Sequence, residues 1–449
     1  MTPPARLAAS IDLLDAIAAS RRPADAVANE FFRARRYIGA TDRRAVSGAA
    51  WDALRAPRRL AWWLARAGAE PTPRLCAAAA MLLRQDGNLA ALSRAFSGGQ
   101  YAPGPLETAE HAALATLTGH TRDHPAMPQA VRLELPDWLL PRLTARFGPA
   151  LEAEATALLS HAALDLRVNL LKTTREAARQ ALAAEGIEAL PTPHSPWGLR
   201  VGGRPNVTTG AAFRAGLVEI QDEGSQLVAL LADARPGQTV ADFCAGAGGK
   251  TLALAMTMEN RGRLAACDVS APRLDGAIRR LRRAGVHNAE RHLLVAGDKW
   301  AKRRAGAFDR VLVDAPCTGT GTWRRNPDAR TRLTEQDLEE LVVRQAAILD
   351  QAAPLVRNGG KLIYATCSLL TEENEAQVSG FLARHPDFAQ VPLARAWPLD
   401  TPPPRMGGTT DPATDLALAL TPARHGTDGF FAAVLERRQG AAGANGGAP

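Results

Sequence analysis

Cysteine and long apolar runs are both scarce in this sequence. The 449 residues include five cysteines and no Cys-x-x-Cys pair, which argues against a disulfide framework and against a zinc site. No segment approaches the roughly 18 consecutive apolar residues that a membrane-spanning helix needs. The opening segment MTPPARLAAS lacks the apolar core of a signal peptide. We therefore expect a cytoplasmic protein that binds no metal and whose cysteines are free thiols.

Length and charge narrow the class of protein further. A chain of 449 residues exceeds the size at which a single core usually stops growing, so two or three domains are expected. Hydrophobic residues make up 46% of the chain and charged residues 22%, which is a globular composition. The net charge of +8 favours a polyanionic partner such as nucleic acid, although an Arg-rich, Ala-rich composition can also reflect the genome.

The spacing of apolar residues divides the chain into four segments. Residues 1–128 show helical spacing, and residues 129–215 combine linker helices with short strand-like pieces. Residues 216–437 alternate strands with helices, which is typical of a doubly wound sheet that binds ligands at the carboxyl ends of its strands. The glycine-rich residues 438–449 predict a disordered tail. The expected fold is multidomain: an all-α N-terminal domain, a small α/β subdomain and a doubly wound, Rossmann-like α/β domain.

Arginines are clustered in the N-terminal helical segment. Arg33, Arg35 and Arg36 are followed closely by Arg43 and Arg44. A solvated helix face explains such a cluster, and so does an RNA-binding surface. The sequence alone leaves both interpretations open.

A glycine-rich turn follows a strand near the start of the third segment. In DFCAGAGGKT, residues 242–251, glycines and the first N–H groups of the next helix can approach a ligand closely. A phosphate-binding loop needs glycine where Cys244 stands, and the dinucleotide pattern fails at Thr251. The turn therefore indicates the nucleoside-binding loop of an S-adenosylmethionine enzyme. This loop consists of Cys244, Ala245, Gly246, Ala247, Gly248, Gly249 and Lys250.

Two aspartates follow the next two predicted strands. Asp268 ends one strand, where a carboxylate can accept hydrogen bonds from both ribose hydroxyls of a nucleoside. Asp298 follows the other strand and is placed to reach the adenine amino group. Each aspartate taken alone also fits a helix N-cap. Matching features at three successive strand ends together favour a cofactor site.

Two cysteines follow a further pair of strands. VLVDAPCTGTG contains Asp314 and Cys317, and LIYATCSLL contains Cys367. A lone cysteine at a strand end is more often a small buried hydrophobe than a nucleophile. Two cysteines in polar loops are harder to explain by packing, so we predict that both thiols face one site. Asp314 is placed there to hydrogen-bond a cytosine amino group or ring nitrogen.

A thiol suits methylation of a pyrimidine at carbon 5. That carbon is a poor nucleophile until a thiolate adds to carbon 6 and turns the ring into an enamine. Loss of the carbon 5 proton and expulsion of the thiolate then restore the aromatic ring. Because a free cysteine is only about a few per cent thiolate near pH 7, such a site must favour the thiolate or supply a base.

Three motifs together resemble the Sun (Fmu) family of RNA cytosine-5 methyltransferases: DFCAGAGGKT, DAPCTGTGTWRRNPD and TCSLLTEENEAQV. RVNLLK, QDEGSQL and HGTDGFF are similar to other family segments, so the resemblance runs from about residue 164 to 437. It implies that Cys367 is the nucleophile and that Cys317 helps to release the product. It also implies S-adenosylmethionine contacts from the loop Cys244–Lys250, Asp268, Asp298 and Asp314.

The resemblance extends in kind to the N-terminal helices, which are similar to the NusB-like RNA-binding domain of bacterial rRNA enzymes in this family. It therefore implies 16S rRNA as the partner, and we expect the enzyme to be a monomer. The chain departs from the family in one respect. The family usually has Ala-Pro where this chain has Gly246–Ala247, and the loss of proline loosens the loop.

Three other functions remain alternatives. A tRNA cytosine-5 methyltransferase would use the same chemistry on another RNA. A DNA cytosine-5 enzyme would use Cys317 as the nucleophile and leave Cys367 idle. A non-catalytic RNA-binding assembly factor could keep the fold alone, although retention of both thiols and all three carboxylates argues against it.

Overall fold

The structure is a computed structural model that describes residues 1–203, 205–405 and 415–438. It contains two compact units, the first formed by Met1–His161 and Trp323–Thr334, and the second by Ala162–Thr322 and the described residues from Glu335 onward. No helix in the described ranges is long and apolar enough to cross a bilayer. The predicted tail, apart from Arg438, lies outside the described residues.

The α-helices and β-strands are numbered in chain order. The α-helices are Pro3–Ala18 (α1), Ala24–Ala34 (α2), Ala40–Leu54 (α3), Pro57–Arg66 (α4), Pro73–Leu82 (α5), Leu89–Ala95 (α6), Thr108–Ala115 (α7), Gln129–Arg132 (α8), Leu140–Phe147 (α9), Leu151–Leu159 (α10), Arg175–Ala184 (α11), Ala211–Arg214 (α12), Glu223–Leu231 (α13), Gly249–Thr257 (α14), Ala271–Ala284 (α15), Trp300–Arg303 (α16), Ala329–Arg332 (α17), Glu335–Ala352 (α18), Glu375–Arg384 (α19), Leu393–Ala396 (α20) and Pro422–His425 (α21). The strands are Leu164–Val168 (β1), Ala189–Pro191 (β2), Gly198–Val201 (β3), Val218–Ile220 (β4), Thr239–Asp242 (β5), Arg263–Asp268 (β6), Ala289–Leu293 (β7), Phe308–Asp314 (β8), Val356–Thr366 (β9), Phe388–Val391 (β10), Ala417–Leu420 (β11) and Phe430–Arg437 (β12).

The first unit is helical, and local sequence signals start its helices. Thr2 and Thr72 stand immediately before α1 and α5, and each side-chain oxygen accepts a hydrogen bond from a backbone N–H of the first turn. Proline follows each of them, where its missing N–H costs nothing. The core of this unit is apolar, and its fully buried side chains include Leu13, Ile38, Leu60, Leu64 and Leu82.

A segment from late in the chain also belongs to the helical unit. Within Trp323–Thr334, the Asp328 carboxylate accepts a hydrogen bond of 2.9 Å from the backbone N–H of Ala24 at the start of α2. The indole of Trp323 is fully buried beneath the guanidinium of Arg330, 4.9 Å from the ring centre. The sequence pattern contains no signal for this return of the chain.

The second unit contains a small antiparallel sheet, in the strand order β2-β3-β1-β4. Strand β1 and helix α11 lie within residues 129–215, where the sequence predicts helices and short strand-like pieces. The side chain of Thr174 caps α11 by accepting a hydrogen bond of 3.2 Å from the N–H of Ala177. This sheet belongs to the same compact unit as the large sheet, whereas α9 and α10 belong to the helical unit. A division into three domains at residues 128 and 215 therefore stays a prediction.

The large sheet of the second unit has the strand order β10-β12-β9-β8-β5-β6-β7, with β11 paired to β12. Strands β9, β8, β5, β6 and β7 run parallel, and β12 is antiparallel to β9, β10 and β11. The predicted doubly wound fold is confirmed, and β11 and β12 add an antiparallel pair to its sheet. Since β5, β6, β8 and β9 are parallel, the loops that follow them meet at one edge of the sheet.

Candidate active site

A cavity of about 770 Å³ lies at the carboxyl ends of these parallel strands. This volume is within the roughly 300–1,000 Å³ typical of small-molecule sites. Most residues that the sequence assigned to the site line the cavity: Cys244, Ala245, Gly246, Ala247, Gly249, Lys250, Asp268, Asp314, Cys317 and Cys367. Gly248 and Asp298 are not among the lining residues.

The loop between β5 and α14 needs glycine at two positions. Gly246 and Gly248 have φ values of +54° and +81°, which side-chain-bearing residues rarely adopt. Gly248 serves the site through this conformation, because it directly precedes α14. The buried guanidinium of Arg167 donates a 2.8 Å hydrogen bond to the Gly249 carbonyl, and Arg280 donates a 2.7 Å bond to the Ala247 carbonyl. Two arginines therefore hold the loop from outside the motif.

Asp268 joins the cofactor loop to the end of β6. One carboxylate oxygen accepts a 2.8 Å hydrogen bond from the N–H of Gly246, and the other accepts a 2.8 Å bond from the N–H of Ser270. The residue is 5% exposed and lines the cavity. Each carboxylate oxygen has a further lone pair, so Asp268 can still accept hydrogen bonds from a ligand.

Asp298 makes different contacts from those that the sequence suggested. Its carboxylate accepts a 2.8 Å hydrogen bond from the N–H of Trp300 and lies 2.5 Å from Nε2 of His292. These contacts lower the pKa of Asp298 below its ordinary value, with the His292 hydrogen bond as the largest cause. A contact of Asp298 with adenine stays a prediction.

Asp242 is a cavity residue that the sequence reasoning missed. Its side chain is fully buried, and Oδ2 accepts a 2.6 Å hydrogen bond from the Thr251 hydroxyl. Oδ1 is buried without a hydrogen-bond partner among the described residues. Burial raises the pKa of Asp242 from 3.8 to about 7. The available signal was its place, since it is the acidic residue that ends β5 just before the glycine-rich loop.

The two cysteines at the ends of β8 and β9 meet, as predicted. Sγ of Cys317 lies 3.4 Å from Sγ of Cys367, well beyond the roughly 2.05 Å of a disulfide, and both thiols are free. The N–H of Gly321 donates a 2.9 Å bond to the Cys367 carbonyl, which ties the loops together. A Cβ atom on Gly321 would lie 2.3 Å from the carbonyl oxygen of Gly429, so this crossing needs glycine.

The charges around the sulfur atoms distinguish the two thiols. The hydrogen bond to Cys367, burial and the negative charge of Glu373 all raise the pKa of Cys317 well above its ordinary value. Cys317 therefore holds its proton more tightly than an ordinary cysteine. Either sulfur can donate in the contact between the two thiols, but only Cys317 can donate when Cys367 is a thiolate. A hydrogen bond from a thiol stabilises a thiolate more than it stabilises a second thiol.

Lys250 places a positive charge in the cavity. Its ammonium group lies 2.6 Å from Oδ2 of Asp314. Burial by itself lowers the pKa of Lys250, but the charge of Asp314 and the hydrogen bond to it raise the pKa above the ordinary value. The cavity therefore contains a buried cation together with the two thiols.

Comparisons with known proteins agree with this geometry. A family model described as 16S rRNA methyltransferase RsmB/F matches residues 229–436, and a model of the RsmF/B-like ferredoxin-like domain matches residues 135–208. The probable ribosomal RNA small subunit methyltransferase B of Synechocystis is 36% identical over 67% of this chain and 66% of its own length. Ribosomal RNA small subunit methyltransferase B of Pseudomonas putida is 33% identical over 74% of this chain and 71% of its own length. The crystal structure of PH0851 matches 97% of this chain and 99% of that one, with a TM-score of 0.77 and 28% identity. The chain belongs to the RsmB/F family of 16S rRNA methyltransferases.

Proposed function

We propose that this protein transfers the methyl group of S-adenosylmethionine to carbon 5 of a cytosine in 16S rRNA, with Cys367 as the covalent nucleophile. The observation that carries the proposal is the pair of sulfur atoms 3.4 Å apart in a cavity that also contains Lys250 and Asp314. A methyltransferase that acts on an oxygen or an exocyclic nitrogen has no need of two thiols. Carbon 5 of a pyrimidine does need one, because the ring must first be activated.

The cavity fits S-adenosylmethionine. The ligand carries hydroxyl and amino donors, and the cavity contains the unpartnered Oδ1 of Asp242 and the free lone pairs of Asp268. Backbone groups of the loop from Cys244 to Gly249 border the same space. Asp242 and Asp268 would hold the ligand's polar groups, and Asp298 would contact adenine through a lone pair that its contacts with His292 and Trp300 leave free. When bound, the cofactor supplies an electrophilic methyl group.

Cys367 performs the covalent step. Its thiolate attacks carbon 6, which forms a sulfur–carbon bond and moves the electron pair of the ring double bond to carbon 5. Carbon 5 would then use this electron pair to bind the methyl group, as the bond from the methyl carbon to the sulfonium sulfur breaks and leaves its own pair on that sulfur. The carbon 5 proton passes to water, its electron pair re-forms the double bond, and the carbon–sulfur bond breaks with its pair returning to the sulfur of Cys367. The ammonium of Lys250 lines the same cavity, where a positive charge would stabilise negative charge that develops during the reaction.

Cys317 assists the departure of Cys367. Since its pKa is raised and it keeps its proton, it acts as a hydrogen-bond donor to the leaving sulfur and not as a base. Asp314 is held by Lys250 with one oxygen engaged. A carboxylate accepts further hydrogen bonds, so Asp314 can accept one from the cytosine amino group and select cytosine over uracil.

The substrate assignment rests on the relatives. The chain spans 66% of the Synechocystis relative and 71% of the Pseudomonas relative, both of which are named as small-subunit rRNA methyltransferases. We propose that the enzyme acts in the cytoplasm as a monomer. We also propose that the helical unit helps to bind RNA, with the exposed side chains of Arg33, Arg36 and Arg44 as candidate phosphate contacts.

Asp242 should make the stability of the cofactor-free protein depend on pH. Its pKa is about 7 in the folded protein and 3.8 ordinarily, so its stabilising effect is complete below pH 4 and lost as pH rises through 7. Wild-type protein should lose about 2 kcal/mol of unfolding free energy between pH 5.5 and 8 from this group. Asp242→Asn should not show this loss, and saturating cofactor should shrink it in the wild type.

Denaturant midpoints at the two pH values, with and without cofactor, measure this effect. Asp275→Asn, at an exposed position on α15, is the matched control and should retain the wild-type pH dependence. Equal pH dependence in Asp242→Asn and the wild type would remove Asp242 from the account.

The two cysteines should fail at different steps. Cys367→Ala should abolish methylation and any covalent RNA adduct. Cys317→Ala should still attack and methylate the base but release it slowly, so a methylated adduct should accumulate as a band that survives denaturing electrophoresis. The double variant should give no band. An adduct that accumulates in Cys367→Ala but not in Cys317→Ala would make Cys317 the nucleophile and favour the DNA-type mechanism.

The substrate is tested in cells. Bisulfite sequencing of total RNA from a strain that lacks this gene should reveal one lost 5-methylcytosine in 16S rRNA, restored by the wild-type gene and not by Cys367→Ala. A site lost only from tRNA would assign the tRNA function. Unchanged methylation in every RNA, with cofactor binding intact, would support a non-catalytic assembly factor.

A further inference from the structure

Glu373 and Asn374 lie beside the two cysteine loops, and neither has been assigned a contact with the substrate or the cofactor. Both residues are fully buried, although a charged carboxylate is costly to remove from water. They stand where the short 3-10 helix Thr371–Glu373 ends, just before α19. A buried carboxylate retained at this position requires partners that use its charge.

Glu373 binds the loop that contains Cys317. One carboxylate oxygen accepts a 2.8 Å hydrogen bond from the N–H of Thr318, and the other accepts a 2.5 Å bond from its hydroxyl. The amide of Gln345 donates at 2.9 Å to the same carboxylate and at 2.9 Å to the carbonyl of Pro316. The residues immediately before and after Cys317 are thus both fixed by this pair of buried side chains.

Asn374 binds the loop that contains Cys367 in the same way. Its amide donates a 2.9 Å hydrogen bond to the Ser368 carbonyl, and its oxygen accepts a 2.5 Å bond from the Thr366 hydroxyl. Thr366 and Ser368 are the two neighbours of Cys367. Two consecutive residues therefore hold the two cysteine loops: Glu373 binds the loop of Cys317, and Asn374 binds the loop of Cys367.

The backbone at Glu373 is itself held in place by a hydrogen bond. The hydroxyl of Tyr364, a buried residue of β9, donates a 2.6 Å hydrogen bond to the Glu373 carbonyl. The hydroxyl groups of Thr318 and Ser368 also lie 3.2 Å apart and link the loops directly. The contact of 3.4 Å between the sulfur atoms is consequently a property of this hydrogen-bonded network and not of the thiols alone.

We propose that Glu373 is a positioning residue for product release, acting through Cys317: together with Gln345 it fixes the residues on both sides of Cys317 and so holds that thiol against the sulfur of Cys367. This inference rests on the proposed covalent mechanism. The negative charge of Glu373 also raises the pKa of Cys317, because a nearby carboxylate disfavours a second negative charge on that sulfur. Without it, Cys317 more readily becomes a thiolate and cannot donate to the departing sulfur of Cys367.

The test compares Glu373→Gln, which keeps shape and removes charge, with Glu375→Gln at an exposed position two residues away. Glu373→Gln should retain single-turnover methyl transfer, lower kcat by at least about tenfold and accumulate the methylated RNA adduct seen with Cys317→Ala. The rate of adduct release should decline with rising pH in both proteins, and the midpoint of this decline should lie on the order of one pH unit lower in Glu373→Gln than in the wild type. Glu375→Gln should resemble the wild type in all three measurements.

A double variant separates positioning from general destabilisation. Cys317→Ala combined with Glu373→Gln should release the adduct no more slowly than Cys317→Ala alone, because Glu373 acts through the missing thiol. The inference would be overturned if the two substitutions slowed adduct release additively, or if folded Glu373→Gln released the product at the normal rate. In either case an adduct in Cys317→Ala would still support the proposed function. Absence of any adduct in Cys317→Ala would overturn the covalent mechanism and the inference together. If Glu373→Gln does not fold, Thr318→Val, which removes one donor to Glu373, should give a several-fold slower release, and normal release would overturn the inference.

Discussion

The parallel pairing of β8 with β9 is the constraint on which the site depends. In this register Val313 pairs with Tyr364 and Asp314 with Ala365, so both strands deliver their next residues to the same edge of the sheet. Each strand is followed within three residues by a cysteine. Sheet geometry therefore brings the two loops together, and hydrogen bonds from buried side chains set the final sulfur–sulfur distance.

The two cysteines have different surroundings. The ammonium of Lys250 lies in the same cavity and pairs with Asp314, which ends β8. Glu373 binds Thr318, the residue after Cys317, and its charge raises the pKa of Cys317. These effects require burial, since the same charges in water would interact only weakly. In the proposed mechanism, this difference separates the nucleophile from the residue that assists its departure.

The sequence predicted those parts of the site that local order determines. Cys317, Cys367 and Asp268 each follow a recognisable strand, so their meeting at one edge needed only the rule for parallel sheets. Asp242 was missed because its properties come from burial, and Glu373 because its role comes from burial and from Thr318, a partner 55 positions away in the chain. The return of Trp323–Thr334 to the helical unit was missed for the same reason. Asp298 follows its strand as the sequence predicts, but its contacts with His292 and Trp300 could not be derived from the strand pattern.

The central claim is that Cys367, and not Cys317, forms the bond to the base. RNA substrate containing 5-fluorocytidine traps the methylated adduct, because fluorine at carbon 5 cannot leave as a proton does. Digestion of the trapped wild-type complex and mass spectrometry of its peptides identify the attached residue. The account predicts a methylated nucleotide on the peptide that contains Cys367 and an unmodified peptide containing Cys317. A nucleotide attached to Cys317 would contradict it.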